Sequence, residues 1–414
     1  MPKNSFFTIN YIRQKFKDFY MQNYVSKIID VSKREFGIGD FGKKISSRHL
    51  FFKNLDDFNK YLVIKTPFFV SYSVGYYKFP DRRPMENKQW YGADIVYEFD
   101  SDDFDLPCHD KHNVWVCQNP SCQKEGFGNL ERCPYCNFQT KIIQWTCDVC
   151  LNKAKEETIR LIEFLENDFN LDSSTFIISF SGSKGYHLRI TDKSIISLSK
   201  SSRLELMNYI LGNDLNIEKL GFVLENKTFK TPKIDSNGWS KKILEKLVEI
   251  ISFYDVDLFS KNFNISKRKA NIIFKNKEVI LKKLYHNNIL WNDFTDANIF
   301  WKDVINFCVM CIRLKIDPQS SSDIYKIMRV PDTIHGGSGF LSSYIKSVDD
   351  LKNFDAFSDP IILGDSFKKI KLNHITPKFR LKDQFYGPFE KNQIIEVKEY
   401  VAIFLILKGV ANFE

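Results

Sequence analysis

The chain has 414 residues, of which 43% are hydrophobic and 27% charged, an ordinary composition for a globular protein. Its formal net charge of +9 is compatible with a polyanionic partner. The N-terminus lacks the apolar core of a signal peptide, and the longest apolar run, VAIFLIL at 401–407, is far shorter than the roughly 20 residues that cross a bilayer. These features exclude a secreted or membrane-spanning class, and we expect a soluble, cytoplasmic protein.

The N-terminal third predicts helix followed by strands. A stripe of apolar residues predicts a helix within 8–30, and the β-branched and aromatic stretch 61–74 predicts strand and turn. A strand over 93–99 then ends in the acidic run DSDDFD.

The rest of the chain alternates helix and strand. Apolar spacing predicts an amphipathic helix over 151–169, and TFIISF and HLRI read as adjoining strands around the turn SGSKGY. Residues 200–315 read as mainly helical, and EVKEYVAIFLILKGVA predicts a buried helix near the C-terminus.

This order predicts a mixed α/β fold in three parts. A catalytic core takes 1–107, 151–195 and 300–414, a zinc-binding insertion takes 108–150, and a mainly helical insertion takes 196–299.

Two carboxylates follow the strand that ends near residue 99. In an extended strand, side chains at i and i+2 point the same way, so Asp100 and Asp102 can converge on divalent ions, which prefer oxygen ligands. A solvated acidic turn is the alternative, and the neighbouring Asp103 and Asp105 fit that description.

The segment Ser181-Gly182-Ser183-Lys184-Gly185-Tyr186-His187 is a candidate phosphate site. Small residues and two glycines let backbone amides approach a phosphate, and Lys184 and His187 add polar contacts. Taken alone, it could equally be a glycine-rich hairpin with an incidental lysine.

Seven of the nine cysteines lie between 108 and 150, which indicates metal ligation rather than disulfides in a chain without a secretion signal. Two CxxC pairs end at 136 and 150, Cys117 and Cys122 form a looser pair, and Cys108 precedes His109 and His112. Together they could fill two tetrahedral zinc sites, or they could be reduced, unligated thiols. By contrast, Cys308 and Cys311 lie in an apolar helical run and read as core residues.

The order of these motifs resembles the small, catalytic subunit of archaeal and eukaryotic DNA primase, in the archaeo-eukaryotic primase superfamily. The likeness covers most of the chain. It includes Arg34-Glu35-Phe36 followed by Arg48-His49-Leu50, the segment IDPQSSSDIYKIMRVPDTIHGGSG, and the C-terminal segment beginning GPFEKNQIIEV.

The resemblance implies roles for particular residues. It implies two Mg²⁺ or Mn²⁺ ions held by Asp100, Asp102 and Asp317. It implies contacts to the nucleotide phosphates from Arg48, Ser181, Ser183, Lys184, His187, Arg329 and His335, with Ser183 standing where relatives often have arginine. It also implies a structural zinc on Cys108, His112, Cys147 and Cys150, with His109 as the rival for His112; the remaining set for a second zinc is Cys117, Cys122, Cys133 and Cys136.

The implied function is that of a DNA primase catalytic subunit. Such an enzyme makes short primers from nucleoside triphosphates on a single-stranded DNA template, releases pyrophosphate, and forms a heterodimer with a large iron–sulfur subunit. The alternatives are a gap-filling or repair polymerase of the same superfamily, which only extends primers, and a non-catalytic zinc-ribbon protein that binds nucleic acid.

Two features could contact nucleic acid or serve only the fold. The cysteine region could simply be ordered by zinc, or it could contact nucleic acid through Lys111, Arg132, Lys141, Trp115 and Trp145. The stretch 261–283 has eight Lys or Arg and one acidic residue, and it could hold a template backbone or be a solvated helix surface.

Overall fold

The computed structural model describes residues 6–226, 228–316 and 321–414. The chain divides into two compact units. The larger comprises Met1–Arg160, Asp172–Leu204 and Lys315–Glu414, and the smaller comprises Leu161–Leu171 and Glu205–Leu314.

Two four-stranded antiparallel sheets form the centre of the larger unit. In spatial order the first contains β14 (Ile327–Arg329), β3 (Phe69–Ser73), β1 (Phe36–Asp40) and β2 (Lys43–Leu50). The second contains β15 (Tyr344–Ile345), β10 (Phe176–Phe180), β11 (Gly185–Ile190) and β6 (Ile95–Asp100).

Smaller sheets complete the strands of this unit. One is the pair β4 (Gly75–Tyr77) and β5 (Trp90–Ala93), and another is the cysteine-rich sheet of β8 (Glu125–Phe127), β7 (Val114–Cys117) and β9 (Thr140–Ile143). Near the C-terminus, β19 (Ile394–Lys398), β16 (Phe367–Leu372) and β20 (Ala411–Phe413) form a three-stranded sheet, and β17 (Phe379–Leu381) pairs with β18 (Gln384–Tyr386).

The helices of the larger unit are mostly short. They are α1 (Phe6–Gln22), α2 (Leu55–Lys65), α3 (His109–His112), α5 (Lys193–Ile196), α12 (Val348–Asn353) and α13 (Glu399–Leu407). Two further helices cross a unit boundary, namely α4 (Asp148–Phe169) and α6 (Lys200–Leu211).

The smaller unit is mainly helical, as the sequence predicts for residues 200–315. Its elements are β12 (Val223–Glu225), β13 (Thr228–Lys230), α7 (Gly238–Phe253), α8 (Val256–Phe263), α9 (Lys267–Lys275), α10 (Lys277–Asn287) and α11 (Ala297–Ile312). Cys308 is fully buried on α11, which confirms its prediction as a core residue.

A buried ion cluster joins the two central sheets. The carboxylate of Asp94 pairs with Arg34, which precedes β1, at 2.7 Å, and with Arg189 of β11 at 2.8 Å. Arg189 also donates to the carbonyl of Ser73 at the end of β3. Removing one partner of such a cluster typically costs about 3–5 kcal/mol, so these residues fix one sheet against the other.

The prediction of strand and turn over 61–74 is wrong in its first half. Residues 61–65 belong to α2, whose buried side chains Phe58 and Leu62 are four apart and lie on one face. Asn54 caps this helix by accepting a hydrogen bond from the backbone of Asp57, a capping interaction that outweighs local β propensity. The second half of the stretch 61–74 contains one strand, β3, as the sequence predicted. The buried C-terminal helix, α13, is confirmed.

Candidate active site

Strand β6 carries the carboxylates. Its hydrophobic members, including Tyr97 and Phe99, are fully buried, whereas Glu98 and Asp100 are partly exposed on the opposite face. Asp102 follows in a single 3₁₀ turn and is exposed. The alternation of the strand therefore directs Glu98 and Asp100 to one open face.

The ammonium group of Lys184 lies between the two predicted metal ligands. It is 3.4 Å from Asp100 Oδ2 and donates a hydrogen bond to Asp102. Burial alone would lower the pKa of Lys184, but the two carboxylates outweigh it and raise that pKa above its ordinary value. A cation thus occupies the position between the carboxylates, which is the charge arrangement a divalent ion requires.

Glycines allow the SGSKGY turn to approach β6. Gly185 pairs with Asp100, and a Cβ at Gly185 would lie 1.9 Å from the carbonyl oxygen of Phe99. Gly182 has φ +82°, and a Cβ there would lie 2.6 Å from the Cβ of His335. Close backbone approach therefore explains Gly185, whereas the positive φ and the adjacent His335 side chain explain Gly182.

Ser181 braces this turn internally. Its Oγ accepts hydrogen bonds from the backbone amides of Ser183, Lys184 and Gly185 at 3.4, 3.3 and 3.1 Å. These amides point at the serine, so the phosphate cradle expected from them is not open in this structure.

His187 lies opposite Glu98 in the β11–β6 pairing, with its Nε2 3.8 Å from the Glu98 carboxylate. Burial lowers the pKa of His187, so its imidazole is neutral at neutral pH. Its buried Nδ1 has no hydrogen-bond partner in the described part of the chain.

Arg329 and His335 share an aromatic support. The Arg329 guanidinium lies 5.3 Å from the centre of the Phe69 ring, and the His335 ring meets Phe69 edge-on at 5.5 Å. Burial lowers the pKa of Arg329 to about 10, which leaves it charged, and its Nη1 has no partner among the described residues. Burial also holds the pKa of His335 well below its ordinary value. A guanidinium with one buried, unpartnered N–H group is a strong attractant for phosphate oxygens.

The His335 loop closes onto the glycine-rich turn. His335 Nδ1 contacts Ser338 Oγ at 3.1 Å, and Ser338 Oγ in turn donates to the carbonyl of Gly182. The structure therefore brings together the two motifs that lie about 150 residues apart in sequence.

Arg48 reaches this region from β2 but is held by another residue. Its Nε donates to the fully buried Glu35 carboxylate at 2.8 Å, and its side chain is 36% exposed. The buried Lys88 lies 3.4 Å from the same carboxylate. Arg48 Nη2 also donates to the carbonyl of Tyr325 at 3.4 Å, so two groups hold its side chain, and its contact with the nucleotide phosphates stays a prediction.

The cysteines form two compact clusters. Within each, the four candidate ligand atoms lie within 4.8 Å of one another: Cys108, His112, Cys147 and Cys150 in one, and Cys117, Cys122, Cys133 and Cys136 in the other. Zinc–sulfur bonds of about 2.3 Å place tetrahedral sulfurs about 3.8 Å apart. The Cys117–Cys136 and Cys122–Cys133 separations of 3.5 and 3.8 Å fit that geometry.

His112, not its rival His109, belongs to the first cluster. Its Nε2 is 3.2 Å from Cys150 Sγ, while its Nδ1 contacts the side chain of Asn113 at 3.2 Å. A hydrogen bond to the ring nitrogen that does not face the metal site fixes the orientation of a ligating imidazole, and the contact between His112 and Asn113 is of this kind. Trp115 and Trp145 are 5% and 3% exposed, so neither offers the open stacking surface considered for nucleic acid.

Comparison with known proteins identifies the family. The sequence profile described as DNA primase small subunit matches residues 143–347. The chain is 28% identical to the DNA primase small subunit PriS of Nitrosopumilus maritimus, over 98% of both chains. It is 25% identical to PriS of Methanothrix thermoacetophila over 98% of both chains, and 28% identical to that of Thermoplasma volcanium over 97% of both.

The chain belongs to the DNA primase small subunit family. It is accordingly a primase-type nucleotidyltransferase of the archaeal kind, which excludes the non-catalytic alternative. Among the described residues, no helix is long and apolar enough to cross a membrane. The predicted third metal ligand, Asp317, lies outside the described residues.

Sequence reasoning missed three charged residues at this site. Glu98 forms an ion pair with Lys326, three residues before Arg329. Lys408, at the end of α13, lines a cavity of about 90 Å³ together with Asp102 and Lys184. The two-residue alternation of β6 could have revealed Glu98, but only the tertiary fold brings the two lysines to the carboxylates.

Proposed function

We propose that this chain synthesises primers on single-stranded DNA by two-metal nucleotidyl transfer. The observation that supports it best is the meeting of a carboxylate pair with two cationic side chains and two neutral imidazoles on adjoining strands and loops. Asp100 and Asp102 stand at the end of β6, and Lys184, His187, Arg329 and His335 surround that end.

The carboxylates hold the catalytic metals in this proposal, with Asp317 as the third ligand. Divalent ions bound there would activate the attacking hydroxyl and stabilise the leaving pyrophosphate. Lys184, which pairs with both carboxylates in this structure, would give up those contacts to a bound metal and would contact the triphosphate instead.

The remaining residues hold and orient the nucleotide. Arg329, His187 and His335 have donors or unpartnered nitrogens in a largely buried setting, where charge-assisted hydrogen bonds are strong. Arg48 approaches from β2, and Ser181 and Ser183 shape the turn that carries Lys184. The 3′ oxygen forms a bond to the α-phosphorus and loses its proton, while the bond to the bridging oxygen breaks and pyrophosphate leaves.

Two structural zinc ions complete the proposal, one in each cysteine cluster. They would stabilise strands β7–β9, whose own hydrophobic cluster is small and consists of Trp115, Cys117 and Cys133 with Cys122 and Ile142 packed against it. The partners are the DNA template, nucleoside triphosphates and, as in the family's subunit arrangement, a large iron–sulfur subunit.

Unprimed synthesis on single-stranded DNA tests this function. Labelled nucleotides are supplied with Mg²⁺ or Mn²⁺, with and without the large subunit, and dinucleotide formation is compared with extension of an annealed primer. We expect dinucleotides from the unprimed template. Extension alone under every condition would instead support a gap-filling polymerase, and no synthesis at all would refute both.

A further inference from the structure

The charges of the smaller unit are segregated along its sequence. The stretch 261–283 has eight Lys or Arg and one acidic residue, whereas the rest of the unit has nine Lys or Arg and fifteen acidic residues. The stretch is therefore strongly basic within an otherwise acidic unit. A concentration of one sign of charge attracts a partner of the opposite charge.

Helix α9 presents part of this charge on one face. Arg268, Ile272 and Lys275 are exposed, and their spacing of four and three residues places them on the same side of the helix. Ala270 and Ile273 are buried on the other side. The helix contains no acidic residue, so its exposed face is not neutralised from within the helix.

Helix α7 of the same unit has a different pattern. Lys241 lies 3.9 Å from Glu245, and Lys246 lies 2.6 Å from Glu249, so much of its surface charge cancels. Alternating charges of this kind are typical of a solvated helix surface that needs no partner. The stretch 261–283 lacks this cancellation.

Half of the eight cations are available to a ligand. Four are exposed and have no ion-pair partner in the described part of the chain, namely Lys261, Arg268, Lys275 and Lys282. The other four contact carboxylates or phenylalanine rings of the same unit, and they are Lys267, Lys269, Lys277 and Lys283. Exposed, unpaired cations favour binding to a polyanion, because their contacts with its phosphates release bound counterions.

Exposed aromatic rings accompany these cations. Phe274 of α9 and Tyr285 of α10 are 37% and 46% exposed. Aromatic rings stack on unpaired bases, whereas the bases of a duplex are already stacked on one another. Cations interleaved with exposed rings therefore favour a single strand over a duplex.

We infer that the exposed cations and rings of α8–α10 bind the single-stranded DNA template. This cationic surface comprises Lys261, Arg268, Phe274, Lys275, Lys282 and Tyr285. The inference rests on the proposed function, because that function makes single-stranded DNA the template. The four cations contact its phosphates, and its bases stack on the two rings.

The salt dependence of DNA binding tests the phosphate contacts. Fluorescence anisotropy with a labelled single-stranded oligonucleotide, in the absence of nucleotides, gives the association constant at several salt concentrations. The slope of its logarithm against the logarithm of the salt concentration changes by about 0.7 for each phosphate contact to a single strand. The variant K261Q/R268Q/K275Q/K282Q should therefore have a slope smaller in magnitude by about 2.8, and it should bind at least about tenfold more weakly in about 0.1 M salt.

Two control variants separate this surface from net charge. K219Q/K233Q/K241Q/K302Q removes the same charge from exposed lysines of the same unit outside 261–283, and it should keep the wild-type slope. K261R/R268K/K275R/K282R preserves the charge of the surface and should also keep that slope. Circular dichroism of each variant checks that the helices are retained.

Replacing the rings tests the preference for a single strand. In F274L/Y285L, leucine keeps an apolar side chain and a good helix former but removes both rings. Binding of a single strand should weaken by about fivefold or more, because a stacked base contributes about 1–3 kcal/mol. The salt slope should stay the same, and so should the affinity for a duplex of the same sequence.

Three results would overturn the inference. An unchanged slope in K261Q/R268Q/K275Q/K282Q, or an equal decrease in the matched control, would show that these cations do not contact the template. An unchanged affinity of F274L/Y285L for a single strand would refute the stacking that selects it. A wild-type chain that neither binds nor copies single-stranded DNA would refute the proposed function instead, so the two failures are distinguishable.

Discussion

Replacing Lys184 should separate metal binding from nucleotide binding. In K184Q the ammonium that lies between Asp100 and Asp102 is lost, so the two carboxylates regain their full attraction for a divalent ion. The same change removes a cation from the triphosphate site. We therefore expect Mn²⁺ alone to bind more tightly and nucleotide to bind more weakly, an opposite pair of effects.

The structure sets the size of these effects. A unit-charge pair 3.4 Å apart at an effective dielectric constant of about 20 interacts by about 5 kcal/mol, which is an upper bound. Lys184 and both carboxylates are 27–31% exposed, so solvent and salt reduce the net value to about 1 kcal/mol. That value corresponds to about fivefold tighter Mn²⁺ binding by K184Q. Loss of a charge-assisted contact to the phosphates should weaken nucleotide binding by about tenfold.

Calorimetric titration with Mn²⁺, then with nucleotide in saturating Mn²⁺, measures both constants. K193Q is the control, because Lys193 is exposed beyond the other end of β11 and should change neither. Weaker Mn²⁺ binding by K184Q would refute the reasoning, since it would show that the lysine supports the metal rather than competing with it.

Three further predictions concern zinc, the turn and pH. The purified chain should contain two zinc ions by elemental analysis, and C147S and C133S should each lose one; full zinc content in C133S would exclude the second site. G185A should lower the free energy of unfolding by about 1–3 kcal/mol in urea titrations, because its Cβ would meet the carbonyl of Phe99, and unchanged stability would contradict the close approach of β11 to β6. Burial lowers the pKa of His335, so below about pH 6.5 the unfolded chain binds a proton that the folded chain does not. The free energy of unfolding should therefore fall by about 1.4 kcal/mol for each unit of pH below 6.5, until the pH reaches the pKa of His335 in the folded chain. H335Q should show a smaller fall between pH 7.5 and 5.5, and an equal fall would remove His335 from the explanation.

The parts of the fold that the sequence predicted are those with a local pattern. β6 follows from a run of buried residues ending in carboxylates, and β10 and β11 follow from two β-rich segments around a glycine turn. The CxxC spacings indicated both cysteine clusters, but only the structure distinguishes His112 from His109, because both precede Asn113 within one short helix.

The parts that the sequence did not predict depend on distant contacts. Lys326 and Lys408 reach the carboxylate face from segments more than 200 residues after β6, and no local pattern marks them. The sequence also did not predict that Trp115 and Trp145 are buried. Trp145 packs at 5.2 Å from Phe379, a contact that spacing within 108–150 cannot show.

Substitution of the two strand-end carboxylates tests the central claim most directly. D100N and D102N keep the shape of the site but remove the negative charge that would hold the metals. Because several kcal/mol of transition-state stabilisation would be lost, the rate should fall by roughly a thousandfold or more. Asp105, exposed and beyond the 3₁₀ turn, provides the control D105N. We predict that both site variants lose primer synthesis and primer extension while keeping their circular dichroism and zinc content, and that D105N stays active. Normal synthesis by D100N or D102N would contradict the account.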